Sequence, residues 1–276
     1  MVQTAVLRLH RRRVDALNWR PNVIVFGGPP SERRHLIQLS RWAFEGHGLS
    51  TYGYIMEGQV GQAAPQARQI EPDVRTAVAE RFPDMLSRVT VAQDVYEGSG
   101  SGGRPEAFAE LLRDLLALGE NLLLVRHDSV RSFGSRRTID VWWGGLERNG
   151  ALMLLLVHWL SQRDEWGAAR VRVNVIVDRA EQAADAQTHL EQALAQARIR
   201  GIPNVIVRPG TDVPFSDVIR RESARADLVF MGLRPPADGE GAGFVARVEA
   251  QMDGLGTVVL VRAAEHFAGV SLLFDD

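Results

Sequence analysis

The chain has 276 residues, 45% hydrophobic and 24% charged, the proportions of an ordinary globular protein with one or two packed domains. Its 32 basic and 34 acidic side chains leave a formal charge of -2, so no overall field favours nucleic acid or an anionic surface, and no nucleic-acid partner is expected. Zero cysteines exclude a disulfide framework, a thiolate metal site and a cysteine nucleophile, in keeping with a reducing, cytoplasmic setting.

Residues 1–21 form an arm in which Arg8, His10, Arg11, Arg12 and Arg13 crowd beside Val6, Leu7 and Leu9. Such a cluster is either the solvated side of a helix or a juxtamembrane segment whose basic residues look toward the cytoplasmic leaflet. No long apolar run follows Met1, so no secretory signal is expected.

From residue 22 the pattern becomes regular. Val23 to Phe26 is a short apolar run closed by Gly27-Gly28-Pro29-Pro30, and Leu36, Leu39 and Trp42 then recur at helical spacing within residues 31–45. Further strands are expected over 51–56, 89–95 and 121–126, with helices over 67–85 and 105–118. After the Gly- and Arg-rich stretch 132–137 a second series begins. Its strands are expected over 139–143, 171–177, 204–207, 228–231 and 257–261, and its helices over 151–165, 183–198, 214–226 and 243–252. Residues 150–162 (GALMLLLVHWLSQ) are the most apolar stretch, but fall short of the roughly 20 residues that span a bilayer and read as a buried helix.

Apolar runs separated by helices imply parallel strands joined by right-handed crossovers, hence α/β sheets covered on both faces. The two series resemble a distant duplication in which residues 121–126 take the place of residues 227–232. The chain is therefore divided into the arm 1–21, a first α/β subdomain 22–134 and a second 135–276, the two packed against each other.

Gly98, Gly100 and Gly103 satisfy G-x-G-x-x-G between a predicted strand and a predicted helix, where a pyrophosphate could sit on a helix N-terminus. A second glycine-led turn, Gly232-Leu233-Arg234-Pro235, resembles the start of the ATP loop of universal stress proteins. Pro235 removes an amide and the close backbone approach that glycine permits. The first glycine tract reads equally as a flexible loop. There is no G-x-S-x-G elbow and no H-E-x-x-H helix. His127-Asp128-Ser129 holds the three triad residue types, but neighbours on an extended chain point to opposite sides and cannot form the relay. No catalytic or metal-binding residue is assigned.

Two segments are distinctive: Asn18-Trp19-Arg20-Pro21-Asn22 directly before the first strand, and Thr138-Ile139-Asp140-Val141-Trp142-Trp143-Gly144-Gly145-Leu146 before the apolar helix. Together they resemble the corresponding signatures in the cytosolic C-terminal domain of the cation-chloride cotransporters. Having no long Ser/Thr-rich insertion, the chain is similar to a prokaryotic member. The loop 144–150 departs from the family pattern. The resemblance implies two universal-stress-protein-like subdomains and a homodimer at the cytoplasmic side of the cell membrane, in contact with the transmembrane domain of the same polypeptide. It implies a regulatory role without catalysis or cofactor, with Asn18, Trp19, Arg20, Pro21, Ile139, Asp140, Trp142 and Trp143 as structural signature residues. The alternative is a nucleotide-binding sensor taking ATP. Within the second signature, Trp142 and Trp143 must point to opposite sides of their strand, and one of them is expected in the core. A buried Asp140 needs a partner, for which Arg136 or Arg137 is the expected source.

Overall fold

The computed structural model describes residues 20–92, 105–144, 147–196, 199–265 and 267. Asn18, Trp19, Gly98, Gly100 and Gly103 lie outside these residues. Two sheets carry the fold. The first contains β1 (Asn22–Gly27), β2 (Leu49–Glu57) and β3 (Leu86–Ala92) in that order, all parallel, connected through α1 (Arg34–Phe44) and α2 (Val60–Ala79). After α3 (Pro105–Ala117) the chain enters the second sheet with β4 (Leu122–Arg126). There follow β5 (Thr138–Trp142), α4 (Glu147–Ser161), β6 (Arg170–Val177), α5 (Ala183–Gln196), β7 (Gly201–Val207), α6 (Phe215–Ser223), β8 (Leu228–Gly232), α7 (Gly241–Met252) and β9 (Thr257–Arg262). The order in this sheet is β4-β9-β8-β5-β6-β7, parallel except for β4.

The sequence reading needs three corrections. First, β4 was expected to close the first series as the counterpart of β8; it pairs instead with β9, antiparallel, at the edge of the second sheet. The cause is the packing of α3: Leu112 joins the cluster of Leu122, Phe244 and Val258, and Phe108 meets the Phe244 ring at 6.2 Å, so the chain is delivered beside β9. Second, the first sheet is not covered on both faces among the described residues. Sequential right-handed crossovers in the order 1-2-3 put both helices on one side, where Ile37 of α1 and Val74 and Val78 of α2 bury Tyr52. Third, α2 starts and stops earlier than expected. Burial of Ala67, Val74 and Val78 outweighs the prolines at 65 and 72, and the helix ends ahead of Pro83.

The apolar stretch at 150–162 falls largely in α4. It has no charged side because it has no solvated side: Leu152, Leu154, Leu156, Val157 and Leu160 are buried in one cluster with Val171 and Val173 of the second sheet and Leu39, Trp42, Ala43 and Phe44 of α1. That helix packs on the second sheet and, on its other side, against α1. Edge strand β7 tolerates Pro203, which removes one ladder donor.

Candidate functional site

The signature strand β5 lies between β6 and β8, in the middle of the second sheet. Its residues alternate between the two helical layers. Ile139 and Val141 are fully buried in the cluster that contains α4, whereas Trp142 joins the opposite cluster with Met231, Leu233 and Phe244. Asp140 shares the side of Trp142 and is completely buried.

Asp140 is paired, but not with Arg136 or Arg137. Its Cα partner across the ladder is Arg172 on β6. The Arg172 guanidinium donates from Nε to Oδ1 at 2.7 Å and from Nη2 to Oδ2 at 2.5 Å, with a further bond from Nη2 to the Glu222 carbonyl at 3.0 Å. Ser223, at the end of α6, donates its hydroxyl to Asp140 Oδ2 at 2.6 Å and accepts the Trp142 indole N–H at 2.9 Å. The hydrogen bond to Asp140 holds Arg172 above the ordinary arginine pKa, burial opposing it. Arg137 is used differently: its backbone N–H donates to Asp227, which also accepts from the Ser135 and Thr138 amides and fixes the turn into β5. Burial alone would raise the Asp227 carboxyl, but the amides of Arg137, Ser135 and Thr138 outweigh it and hold the group below the usual range.

Trp143 is half-buried against the α4 cluster, and its N–H reaches the Asn174 carbonyl at 2.8 Å. Its ring lies against Gly150, where an added Cβ would come within 2.6 Å of two ring carbons. Of the first signature, Pro21 is buried and its carbonyl accepts from Leu49 N at 3.0 Å, while exposed Arg20 donates to the Gly46 carbonyl at 2.9 Å. The described end of the first signature, residues 20–22, leads into the first sheet, and the second signature centres the second sheet.

The junction between the sheets is built by residues that neither signature contains. Trp42 meets Phe133 at 5.0 Å and Trp166 at 5.6 Å, both edge-on, and Phe44 meets Trp159 at 6.1 Å. Arg163 caps the end of α1, donating to the Trp42 carbonyl at 2.9 Å and to the Glu45 carbonyl. Two histidines complete the seam. His35 stacks on His127 at 4.1 Å with rings 1° from parallel, and His47 stacks on Trp159 at 4.4 Å. Burial, then His127 and Arg33, lowers His35 to about 4. Helical spacing in the sequence showed Trp42 to be inward, but nothing local says that it faces a second sheet.

His127 and Asp128 are occupied by structure. The Asp128 carboxylate accepts from Val130 N, Arg131 N and Arg131 Nε and caps the turn after β4. Between the C-terminal ends of β5 and β8, where the connections depart in opposite directions, lies a cleft of about 300 Å³ lined by Trp142, Trp143, Asn149, Phe215 and Arg234 among others. Open α/β sheets bind ligands at this position. Asn149 Oδ1 accepts from Ala263 N at 2.9 Å, while its buried Nδ2, close beneath Gly232, has no hydrogen-bond partner among the described residues. Among the same residues no three His, Asp or Glu side chains gather as a metal site, and no helix is long and apolar enough to cross a membrane.

Residues 122–216, from β4 into α6, match the family model of solute carrier family 12. That span takes in the second of the two signatures, residues 138–146, while residues 18–22 lie outside it. The fold is similar to that of the cytoplasmic domain of a prokaryotic cation chloride cotransporter, with a TM-score of 0.65 at 16% identity over 92% of this chain and 100% of that one. It is also similar to a universal stress protein from Archaeoglobus fulgidus, with a TM-score of 0.54 at 12% identity over 88% of this chain and 97% of that one. The α/β architecture, mostly parallel sheets packed with helices, is thus the fold seen in both of those structures.

Proposed function

We propose that this chain is the cytoplasmic regulatory and dimerisation domain of a secondary-active cation-chloride cotransporter, working beneath the membrane as a scaffold without bond chemistry. The observation that carries this reading is the match of residues 122–216 to solute carrier family 12, on a fold shared with the cytoplasmic domain of a prokaryotic cotransporter. Its partners are a second copy of itself and the transmembrane domain of its own polypeptide. The polar groups most suggestive of chemistry, Asp140, Arg172, Ser223 and Asp128, are spent on holding strands, turns and helix ends together. Two measurements test the reading. Light scattering should give twice the 30.5 kDa protomer mass, and a strict monomer at high concentration contradicts dimerisation. Ion flux through the parent transporter in proteoliposomes should change when Trp42→Ala loosens the seam between the sheets; unchanged flux contradicts a regulatory role.

A second reading, a nucleotide-binding sensor, draws on the unpartnered Nδ2 of Asn149 at the cleft. Calorimetry with ATP and Mg²⁺ separates the two. Stoichiometric binding that disappears in Asn149→Leu favours the sensor, and no heat of binding leaves the scaffold alone.

A further inference from the structure

The cleft at the carboxyl ends of β5 and β8 is lined by one polar group that the described residues leave unused. Asn149 stands in the first turn of α4 and is 2% exposed. Its Oδ1 accepts the buried Ala263 N–H at 2.9 Å, which only the oxygen end of the amide can do, so Nδ2 is the end directed toward Gly232 and the cleft. Among the described residues Nδ2 has no hydrogen-bond partner. The other polar side chains of the lining are engaged: the Trp142 indole donates to Ser223, Arg234 to Glu240, and Gln251 to the Met231 sulfur. A buried donor without an acceptor is costly, and the large majority of buried polar side chains have a partner. Glycine at 232 is what leaves room beside this donor, because a Cβ there would stand 3.2 Å from Nδ2.

We propose that this cleft binds a small, uncharged aromatic carbonyl compound, an aryl amide or a ring carbonyl, with its oxygen on Asn149 Nδ2. The walls select the body of the ligand. Trp142, Trp143, Phe215, Met153 and Met231 offer indole, phenyl and thioether groups, the set that holds a flat aromatic ring by edge and face contacts. The unbranched methionines also adjust readily, which lets the oxygen reach Nδ2 at the floor. A volume of about 300 Å³ lies at the small end of ligand sites and suits a single ring system.

Charge selects the head group. Among the described residues no acidic side chain lines the cleft, and the first turn of α4, the positive end of its dipole, borders it, so a cation is disfavoured. Arg234 is the charged residue of the lining, and Glu240 already takes its guanidinium at 2.7 Å while also binding Arg247. A carboxylate buried here would meet one neutral amide, too little to offset its desolvation. A triphosphate fits worse, since Pro235 withholds a backbone N–H from the turn at the rim. A neutral oxygen matches the neutral donor. The inference is independent of both readings above: dimer mass and ion flux test the scaffold, ATP binding tests the sensor, and the cleft is tested by a ligand of its own.

Three probes of one size separate the head groups: benzamide, benzoate and benzylamine. In proton–nitrogen NMR of the whole chain, benzamide should shift the Asn149 side-chain amide and the Trp142 and Trp143 indole signals, with a Kd of about 1 mM for so small a fragment. Benzoate and benzylamine should bind at least about 10-fold more weakly. Gly232→Ala places a methyl group beside Nδ2 and leaves Asn149 intact, while Asn149→Asp removes the donor and keeps an acceptor for Ala263 N. Each should weaken benzamide at least about 10-fold, with unchanged backbone amides in β6 and β9 reporting that the chain remains folded. Equal affinity for the three probes, benzamide binding that ignores both substitutions, or no binding up to about 10 mM overturns the proposal. Displacement of benzamide by adenosine or ATP assigns the cleft to a nucleotide, and overturns it as well.

Discussion

Arg172 faces Asp140 across the β5–β6 ladder and holds both of its carboxylate oxygens, inside a sheet where Asp140 has no contact with solvent. A buried charge that loses its partner is left without compensation, which typically costs about 3–5 kcal/mol, whereas removing both charges together can be nearly neutral. Arg172→Met is therefore expected to lower stability by about 3–5 kcal/mol in urea unfolding. Arg172→Met with Asp140→Leu should recover a large part of that loss. Similar losses in the single and double variants would mean that the pair contributes packing rather than charge compensation.

The histidine seam gives the fold an acid limit. An imidazole of ordinary pKa near 6.5 sits at His35 held down to about 4, first by burial, then by His127 and Arg33. His127 and His47 are also lowered, in each case first by burial. A depressed histidine pKa means that the folded state holds the neutral ring while the unfolded chain takes up a proton. Stability is therefore fully present above about pH 6.5 and is lost as the pH falls toward 4. Proton NMR should place the His35 titration near the lower value, and a midpoint near 6.5 would contradict the buried stack. His35→Phe, which removes that proton acceptor, should flatten the decline in stability below pH 6.5.

Trp143 rests on Gly150, and the missing side chain is a requirement of that contact. Gly150→Ala would ordinarily favour a helix, but here its methyl group meets the ring. Overpacking of this kind costs about 1–3 kcal/mol. Thermal unfolding should show Gly150→Ala destabilised in the native background. In Trp143→Ala, where the ring is gone, the same substitution should be neutral or stabilising.

Sequence pattern carried the strands well, for a physical reason. Strands such as Leu228–Gly232 and Thr257–Arg262 are buried on both sides and read as unbroken apolar runs between helices. The uncharged helix around Leu152 to Leu160 was equally legible, since only burial all round permits that composition. What failed depended on register or on distant neighbours. Arg172 could not be chosen as the partner of Asp140 without knowing which residue lies across the ladder. Nothing in Leu122 to Arg126 states that this short strand runs antiparallel beside β9, because direction is set by how α3 packs. Trp42 declared itself inward by spacing, but its neighbours Phe133 and Trp166 lie far along the chain.

Those neighbours make the seam between the sheets a separable unit of stability. Trp42 is almost fully buried with two aromatic rings against it, and truncating such a residue costs about 3–5 kcal/mol. Arg163 acts on the same contact without filling it, by binding the Trp42 and Glu45 carbonyls that α1 leaves open at its end. If the seam couples the sheets, Trp42→Ala should split one unfolding transition into two, the first sheet melting earlier. Arg163→Ala should widen the transition in the same direction by a smaller amount. Amide exchange reads the difference directly. In Trp42→Ala the amides of β1 and β2 should exchange faster while those of β8 and β9 keep their native rates, and equal acceleration in both sheets would show that they unfold only together.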